Sequence, residues 1–211
     1  MKIWVDTADL NEIAEWAEHP WVSGFTTNPT LMRAADPDAS HTGGVAPGGF
    51  TTMKWAEAVV KAARGKPISI DGPPEVWELG PNVYRKVVDY PYFFDSTRPR
   101  LNLTAICNAS QIPRDGAHPQ DVISVFAGRI LDTGRSPQPV IDAAKQTGAQ
   151  VLWASVREPY NITMAEQMGC DIITVPPVIL RKYLEWNAMP LETVAELTIA
   201  QFDKDREGLW T

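Results

Sequence analysis

Cysteine and histidine are scarce in this sequence, which limits the kinds of site it can build. Two cysteines occur in 211 residues, Cys107 and Cys170, far apart and in apolar surroundings. Isolated cysteines of this kind are typical of reduced core residues, not of a disulfide or a metal pair. The three histidines, His19, His41 and His118, show no ligand spacing, so we predict no metal site.

Long apolar runs and excess positive charge are also missing. No segment reaches the roughly 18 apolar residues that a membrane span requires, and the first residues show no secretory signal. The chain has 19 Lys and Arg against 26 Asp and Glu, a net charge of −7. This balance argues against a nucleic-acid or membrane partner. We therefore expect a cytoplasmic protein in which any anionic ligand binds to a local group of basic side chains.

Short runs of branched and aromatic residues, by contrast, are abundant. Their apolar character is continuous instead of alternating, which is typical of strands covered on both faces in a parallel sheet. Helical patterns lie between several of them: Thr7 and Asp9 are predicted capping residues of the first helix, and Gly65, Gly148 and Gly169 are predicted helix stops. The eight runs are 2–6, 22–27, 67–71, 83–89, 100–106, 122–128, 150–156 and 170–176.

These eight strand and helix steps predict an α/β fold, a single (β/α)8 TIM barrel domain over residues 1–211 with an extra C-terminal helix. The connections 72–81 and 90–100 have little helical pattern, so some covering helices are predicted to be shortened. The segment 36–49 is predicted to be a long polar loop. Its glycines match no nucleotide-binding pattern, and we expect no cofactor.

The most unusual residue is a lysine within an apolar run. Lys86 is flanked by valines and a tyrosine in the run 83–89. A lysine inside a barrel loses hydration, so its amine is more easily deprotonated and becomes nucleophilic. Such an amine can form an imine with a sugar ketone, and the imine assists cleavage of the adjacent carbon–carbon bond. The alternative is a strand-edge lysine that extends to solvent, and the residue alone does not decide between them.

Other polar residues are predicted at the carboxyl ends of the strands, where barrels carry their chemistry. Asp6 and Asp71 could divide the acid and base roles that imine chemistry needs, although a helix cap and a turn are the alternatives. Asn28 precedes a proline, so it either starts a turn or binds a sugar hydroxyl. The remaining polar residues at these ends are Thr26, Asn102, Thr104 and Ser124.

Two arginines follow predicted strands. Arg129 comes after the sixth run and Arg157 after the seventh, with Ser155 two residues before it. Two guanidinium groups and a hydroxyl at one mouth would bind a phosphate. Surface salt bridges are the ordinary explanation for either arginine taken singly, and the paired placement favours phosphate.

Six segments together resemble motifs of the transaldolase family, especially its short-chain branch with the fructose-6-phosphate aldolases. Each is weak alone, but six in the right order are specific. The similarity extends over nearly the whole chain. The segments are "VDT", "GFTTNPT", "NVYRKVV", "LNLTAI", "SVFAGRILD" and "ASVREP".

The resemblance implies a (β/α)8 barrel and a cofactor-free enzyme that transfers a dihydroxyacetone unit between sugar phosphates. Lys86 is then the Schiff-base lysine, Asp71 with Thr104 manages a relay water, and Asp6 moves the hydroxyl proton. The substrate contacts carried over are Asn28, Thr26, Asn102, Ser124 and Phe126, and the phosphate contacts are Arg129, Ser155 and Arg157. Short members of the family often associate through the C-terminal tail, so a homo-oligomer is expected.

The chain also departs from the family pattern. Asp71 stands where a glutamate is usual, and the run with Lys86 lacks a following proline. Asp71 and Phe126 favour transfer, whereas Gln and Tyr at these positions suit the aldolase branch. The alternatives are an aldolase that releases dihydroxyacetone and a non-catalytic barrel that binds sugar phosphates.

Overall fold

The computed structural model describes most of the chain. Residues 1–35, 58–70, 100–113, 117–207 and 209 are described in full, and residues 45–46, 50–51 and 84–88 as backbone. Asp71 and the greater part of the predicted loop 36–49 lie outside these ranges.

Eight strands form a closed barrel in the order β1-β10-β9-β8-β7-β6-β5-β2, so the predicted (β/α)8 barrel is confirmed. A separate antiparallel pair is formed by β3, within the predicted loop, and β4, directly after it. The barrel strands are Lys2–Asp6 (β1), Val22–Thr26 (β2), Ile68–Ile70 (β5), Tyr84–Val88 (β6), Arg100–Ile106 (β7), Val122–Val125 (β8), Gln150–Trp153 (β9) and Ile172–Val175 (β10), and the pair is Val45–Ala46 (β3) and Phe50–Thr51 (β4).

The first helix begins at one of the two capping residues predicted from the sequence. Asp9 caps α1, because its Oδ1 accepts hydrogen bonds from the backbone N–H of Asn11 and Glu12 at 2.7 and 3.1 Å. No helix in the described ranges is long and apolar enough to cross a membrane. The helices are Leu10–Ala17 (α1), Pro29–Ala35 (α2), residues 58–62 (α3), Ala127–Asp132 (α4), Gln138–Lys145 (α5), Tyr160–Gln167 (α6), Pro177–Trp186 (α7) and Leu191–Arg206 (α8), with a 3₁₀ turn at Ala109–Gln111.

One strand differs from the wholly parallel sheet that the apolar runs predict. β6 runs antiparallel to both β5 and β7, while the other seven barrel strands are parallel. A parallel crossover needs about a dozen residues or more and usually a helix. The connections 71–83 and 89–99 have only 13 and 11 residues, with three and two prolines that disfavour a helix. Connections of this length and composition favour an antiparallel orientation of β6 relative to β5 and β7.

The barrel interior changes from apolar to polar along its axis. Trp4, Val122, Leu152 and Ile172 form an apolar layer. Alternate residues of a strand point to the same face, so the residue two positions later in each strand lies above this layer. In β1, β8 and β10 those residues are Asp6, Ser124 and Thr174, whereas Ala154, the residue after β9, packs with the apolar layer. This change in the inward positions produces a polar floor at the carboxyl ends of the strands.

Two aspartates that lie fifty residues apart in the sequence, the buried Asp121 and the exposed Asp171, anchor the opposite end of the barrel. Asp121 Oδ1 accepts the N–H of Leu101 at 3.0 Å, and Asp171 Oδ2 accepts the N–H of Val151 at 2.8 Å. Asp121 precedes β8 and binds the second residue of β7. Asp171 precedes β10 and binds the second residue of β9. These bonds fix the β7–β8 and β9–β10 pairs, which contribute much of the cavity described below.

An ion-pair cluster joins the last barrel helix to the first. The two guanidinium nitrogens of Arg181 in α7 contact Glu12 at 3.1 Å and Glu15 at 2.8 Å in α1. The hydrogen bond to Glu12 is the largest cause that raises the pKa of Arg181. Beneath these helices β1 pairs with β10, with Lys2 beside Ile172, and this pairing closes the barrel.

Helix α8 packs differently from the others. None of its sixteen residues is buried. Leu191, Ile199 and Phe202 are 80%, 59% and 62% exposed. The predicted extra C-terminal helix is therefore present, but it does not bury an apolar face on the described part of its own barrel.

Candidate active site

A cavity of about 380 Å³ opens at the carboxyl ends of the parallel strands. This volume is within the range of small-molecule sites. Ten of the twelve site residues predicted from the sequence line it: Asp6, Thr26, Asn28, Asn102, Thr104, Ser124, Phe126, Arg129, Ser155 and Arg157. The remaining two are Asp71, outside the described ranges, and Lys86, described as backbone.

The carboxylate of Asp6 is held by hydroxyl groups from two other strands. Thr26 Oγ1 donates to Asp6 Oδ1 at 2.7 Å and lies 2.6 Å from Thr174 Oγ1. Thr26 and Thr174 are only 4% and 3% exposed. Asp9, three residues further on, is the cap of α1, so the helix-cap alternative for Asp6 is wrong. Asp6 instead lies on the cavity wall.

A buried network fixes the amide of Asn102 on the other side of the cavity. Its Nδ2 donates to Ser69 Oγ at 3.0 Å, and its Oδ1 accepts from Ser124 Oγ at 2.7 Å. All three side chains are at most 2% exposed. Because one end of the amide donates and the other accepts, the network orients it, and each end keeps capacity for one further hydrogen bond.

The register of β6 brings Lys86 level with this network. Lys86 pairs with Asn102, and Tyr84 pairs with Thr104. Residues directly opposite each other in an antiparallel pair share a face of the sheet. Asn102 and Thr104 line the cavity, so strand position 86 belongs to the cavity face. The reversal of β6 therefore does not move this position away from the site.

The basic side of the cavity depends on a close backbone approach. Gly128, at the start of α4, passes so near the end of β9 that a Cβ there would lie 1.6 Å from the Ser155 carbonyl oxygen. Ser155 itself has a left-handed backbone with φ of 64°, as has Ala105 fifty residues earlier with φ of 60°. Such strained residues often cluster at functional sites. The approach brings Arg129 and Arg157 to the same rim.

Arg157 is positioned by two contacts. Its backbone N–H donates to the buried Asn161 Oδ1 at 2.9 Å, and its guanidinium pairs with Asp132 at 3.0 Å. Arg157 therefore does form a surface salt bridge, the ordinary explanation for a single arginine. This bridge uses one of the five N–H donors of its guanidinium group. The side chains of Arg157 and Asp132 are about half exposed, so solvent screens this pair strongly. Arg129 is also exposed at the rim.

Asn28 lies at the start of a helix and at the cavity wall. Its Oδ1 accepts the backbone N–H of Leu31 at 2.9 Å and so caps α2. It also lines the cavity beside Pro29.

The two cysteines have different environments. Cys170 is buried, as predicted, and burial raises the pKa of its thiol to about 12. The prediction of a core position is wrong for Cys107, which is exposed because β7 ends one residue earlier, at Ile106. Burial of part of the side chain still raises the pKa of Cys107, against the opposing charge of Arg129.

Two residues of the site were not predicted from the sequence. Thr174 lines the cavity, and Ser69 holds Asn102 from behind. Both lie inside apolar runs, and a single small hydroxyl residue in such a run does not by itself indicate a functional site. Strand alternation was the available signal, because Thr174 is two residues beyond Ile172 of the inner apolar layer.

The fold and the cavity define a (β/α)8 barrel protein with a polar, partly basic site at the carboxyl ends of its strands. A family model described as transaldolase/fructose-6-phosphate aldolase matches residues 3–42 and 98–209. The chain therefore belongs to the transaldolase/fructose-6-phosphate aldolase family.

Curated relatives carry the name "Probable transaldolase". The chain is 30% identical over 205 residues to the protein of Rhizorhabdus wittichii, with 86% of this chain and 88% of that one covered. It is 28% identical over 202 residues to the protein of Lysinibacillus sphaericus, covering 86% and 89%. For Thermoplasma volcanium the identity is 29% over 207 residues, covering 86% of each chain.

The family model does not extend over residues 43–97. That interval contains β5, the antiparallel β6 with Lys86, and Asp71. The part of the chain that the family model matches thus supplies every cavity-lining residue that the structure describes.

Proposed function

We propose that this protein is a transaldolase that moves a dihydroxyacetone unit from a ketose phosphate to an aldose phosphate through an imine on Lys86. The observation that carries the proposal is the composition of the cavity. The charged residues in its described lining are one carboxylate, Asp6, and two guanidinium groups, Arg129 and Arg157, in a chain of net charge −7. Asp132 pairs with one N–H of Arg157, so the guanidinium donors of the two arginines that remain are what favours a phosphorylated ligand. The name of the relatives supports the same reaction class.

The phosphate group is assigned to the basic rim. The guanidinium groups of Arg129 and Arg157 can each donate paired N–H groups to phosphate oxygens, and Ser155 adds a hydroxyl. The sugar chain then extends towards the polar floor, where the oriented amide of Asn102 and the hydroxyl of Ser124 meet it. Asn28 and Thr26 contact the dihydroxyacetone part, and Phe126 packs beside it.

The chemistry begins with addition of the Lys86 amine to the ketose carbonyl and loss of water to form an iminium ion. Asp6 accepts the proton of the hydroxyl next to the bond that breaks. The electrons of that carbon–carbon bond move into the iminium to give an enamine, and the aldose phosphate leaves. The enamine adds to the acceptor aldehyde, Asp6 returns the proton, and water releases the product. Thr104 and Asp71 are assigned to the water molecules of these steps.

The test is reduction with borohydride in the presence of fructose 6-phosphate, followed by peptide mass mapping. We expect a reduced adduct on Lys86, because borohydride converts an imine into a stable amine. Lys182→Met is the control, because Lys182 is an exposed lysine of α7 outside the cavity lining, and this variant should still form the adduct. Folded wild-type protein without an adduct at Lys86 rules out the imine mechanism.

Addition of erythrose 4-phosphate to the same assay separates transfer from cleavage. A transaldolase requires the acceptor aldehyde for turnover. Turnover without it, with release of dihydroxyacetone, indicates an aldolase of the same class.

A second candidate function is a barrel that binds sugar phosphates without turnover. The observation that favours it is the gap in the family match over residues 43–97, which includes Lys86 and Asp71. Calorimetry distinguishes the two functions. Binding of fructose 6-phosphate without turnover, unchanged in Lys86→Met, supports the binding protein.

Self-association through α8 is also proposed. Leu191, Ile199 and Phe202 are exposed and lie on one stripe of this helix, and a second copy of the chain is the proposed partner. Light scattering after size exclusion should show an oligomer for the wild type and a smaller species for Phe202→Glu. Gln201→Glu is the control. This substitution adds the same charge as Phe202→Glu, but at a position beside the stripe, so the oligomer should remain. A monomeric wild type contradicts the proposal.

A further inference from the structure

The hydroxyl of Thr174 has no role in the reaction proposed above, although it is buried beside the acid–base carboxylate. We propose that Thr174 is a positioning residue that turns the Thr26 hydroxyl towards Asp6 and so stabilises the ionised form of the Asp6 carboxylate. The inference rests on the proposed function in one respect, the use of Asp6 as a base. It concerns three strands that meet at one point, β1, β2 and β10.

The direction of the hydrogen bonds follows from the number of protons available. The hydroxyl of Thr26 has one proton, and it donates this proton to Asp6 Oδ1 at 2.7 Å. The contact of 2.6 Å between Thr26 Oγ1 and Thr174 Oγ1 then requires Thr174 to be the donor. The chain therefore runs from Thr174 to Thr26 to Asp6. Each donated bond polarises the next one.

Packing does not require a hydroxyl at this position. Thr174 is 3% exposed and lies in a strand whose other residues are Ile172, Ile173 and Val175. Valine has nearly the same shape as threonine and is at least as favourable in a buried strand. A buried hydroxyl is costly without a hydrogen bond, so the contact with Thr26 is what stabilises a threonine here.

The charged groups around Asp6 come from other elements. The strands that carry Thr26 and Thr174, Val22–Thr26 and Ile172–Val175, contain no charged residue. The described charged residues of the cavity lining are Asp6, Arg129 and Arg157, and Arg33 is the one charged residue of α2, which follows β2. Lys86 occupies a cavity-face position on β6. Substitution of Thr174 leaves all of these charges in place, so a change in the titration of Asp6 reports on the hydroxyl chain.

The sign of the expected effect follows from which form the chain stabilises. A hydrogen bond donated to a carboxylate favours its ionised form. Removal of the terminal donor in Thr174→Val should therefore move the titration of Asp6 to higher pH, by about half a unit. The acid limb of the pH profile of kcat/KM should move by the same amount. At pH values below this limb kcat/KM should fall about threefold, and at higher pH it should change little. Thr174→Ser keeps the hydroxyl and should restore the wild-type profile.

The experiment combines carbon-13 NMR titration of the Asp6 carboxyl, assigned with Asp6→Asn, and the pH profile of kcat/KM. Thr27→Val is the matched control, because Thr27 is equally buried in the same region but donates to the backbone carbonyl of Ser69 at 3.2 Å. It should lower stability to a similar extent without moving the Asp6 titration. Should Thr174→Val fail to fold, Thr174→Ala removes the same donor and should give the same shift, whereas Thr174→Ser and Thr26→Ser keep the donors and remove only methyl groups.

The outcomes separate this inference from the proposed function. An unchanged Asp6 titration in Thr174→Val, or an equal shift in Thr27→Val, overturns the inference. For the serine variants, loss of the wild-type titration overturns it as well, because both keep the hydroxyl donors. The NMR titration needs no substrate, so a shifted titration in a protein without transferase activity supports the hydroxyl chain and rejects the proposed reaction.

Discussion

Two arcs of the same barrel differ in how they are built. The arc of β7, β8, β9, β10, β1 and β2 is parallel throughout, belongs to the part that the family model matches, and supplies the described cavity lining. The arc of β5 and β6 lies within residues 43–97, which the family model does not match, and contains the reversed strand with Lys86. Ligand-binding groups and the proposed nucleophile are thus carried by separate parts of the ring.

The difference shows that a closed sheet can hold one antiparallel strand beside an arc that is parallel throughout. In the matched arc, the carboxylates of Asp121 and Asp171 bind the backbone of neighbouring strands, and helices cover the outside. In the other arc, the short connections 71–83 and 89–99 accompany a strand in the opposite direction. The register nevertheless keeps Lys86 opposite Asn102. The place of position 86 in the ring is therefore set by strand pairing and not by strand direction.

The largest expected effect tests whether the two arcs separate chemistry from binding. Lys86→Met should lower kcat for transfer by at least about 1,000-fold, because no other group replaces a covalent nucleophile. Binding of fructose 6-phosphate, measured by calorimetry, should change by less than about threefold, because the basic rim is intact. Lys182→Met should change neither quantity. Activity within tenfold of the wild type in Lys86→Met contradicts this division of roles.

The next effect concerns the close approach within the matched arc. Gly128→Ala puts a Cβ against the Ser155 carbonyl oxygen, which the backbone must move to relieve. We expect a loss of about 3 kcal/mol in the free energy of unfolding and a fall of about 6–12 °C in Tm, measured by calorimetric melting. Gly134→Ala is the control. Gly134 has φ of +73° but open space around it, so it should lose only about 1 kcal/mol. Equal losses in the two variants contradict the packing argument.

The rim arginines should affect binding and not the imine. Arg157→Ala should raise KM for the ketose phosphate about 10- to 100-fold, since a lost hydrogen bond to a charged group costs about 1.5–3 kcal/mol. Turnover of fructose with erythrose as acceptor, a pair in which neither sugar carries a phosphate, should change little. Arg135→Ala provides the control, because this exposed arginine is not in the cavity lining. A similar loss for both donors would show that Arg157 acts on the fold or on the chemistry.

The smallest effect uses the thiols as reporters of the two environments. Alkylation by iodoacetamide requires the thiolate, and burial raises the pKa of Cys170 to about 12. We expect mass mapping at pH 8 to show modification of the exposed Cys107 alone, slowly and faster with rising pH, because its pKa is also raised. Unfolded protein is the control, in which both thiols should react. Modification of Cys170 in the folded protein would contradict its burial.

Much of the parallel arc could be predicted because local chemistry determines it. The run 100–106 is β7 residue for residue, and Asp9, Gly148 and Gly169 cap or end helices as expected. Strand ends were less accurate. The run 122–128 stops being a strand at Val125, because Phe126 N–H bonds to Ile106 and α4 begins at Ala127.

The reversal of β6 and the hydroxyl chain could not be predicted from their own residues. An apolar strand reads the same in either direction, so its orientation depends on the connections and on the neighbours it pairs with. Thr174 is one polar residue among apolar ones, and its role depends on Thr26, 148 residues away. Such features are set by contacts between distant parts of the chain. The motif order predicted which residues gather at the cavity, but not the bonds that hold them.

The pairing of β1 with β10 also has a consequence for biosynthesis. Lys2 and its partner Ile172 are separated by almost the whole chain. At roughly 5–20 residues per second of translation, the first strand waits about 10–30 s on the ribosome before its second neighbour exists. During that interval one edge of β1 is open to wrong partners, and the charged residues at its two ends, Lys2 and Asp6, discourage another strand from pairing there.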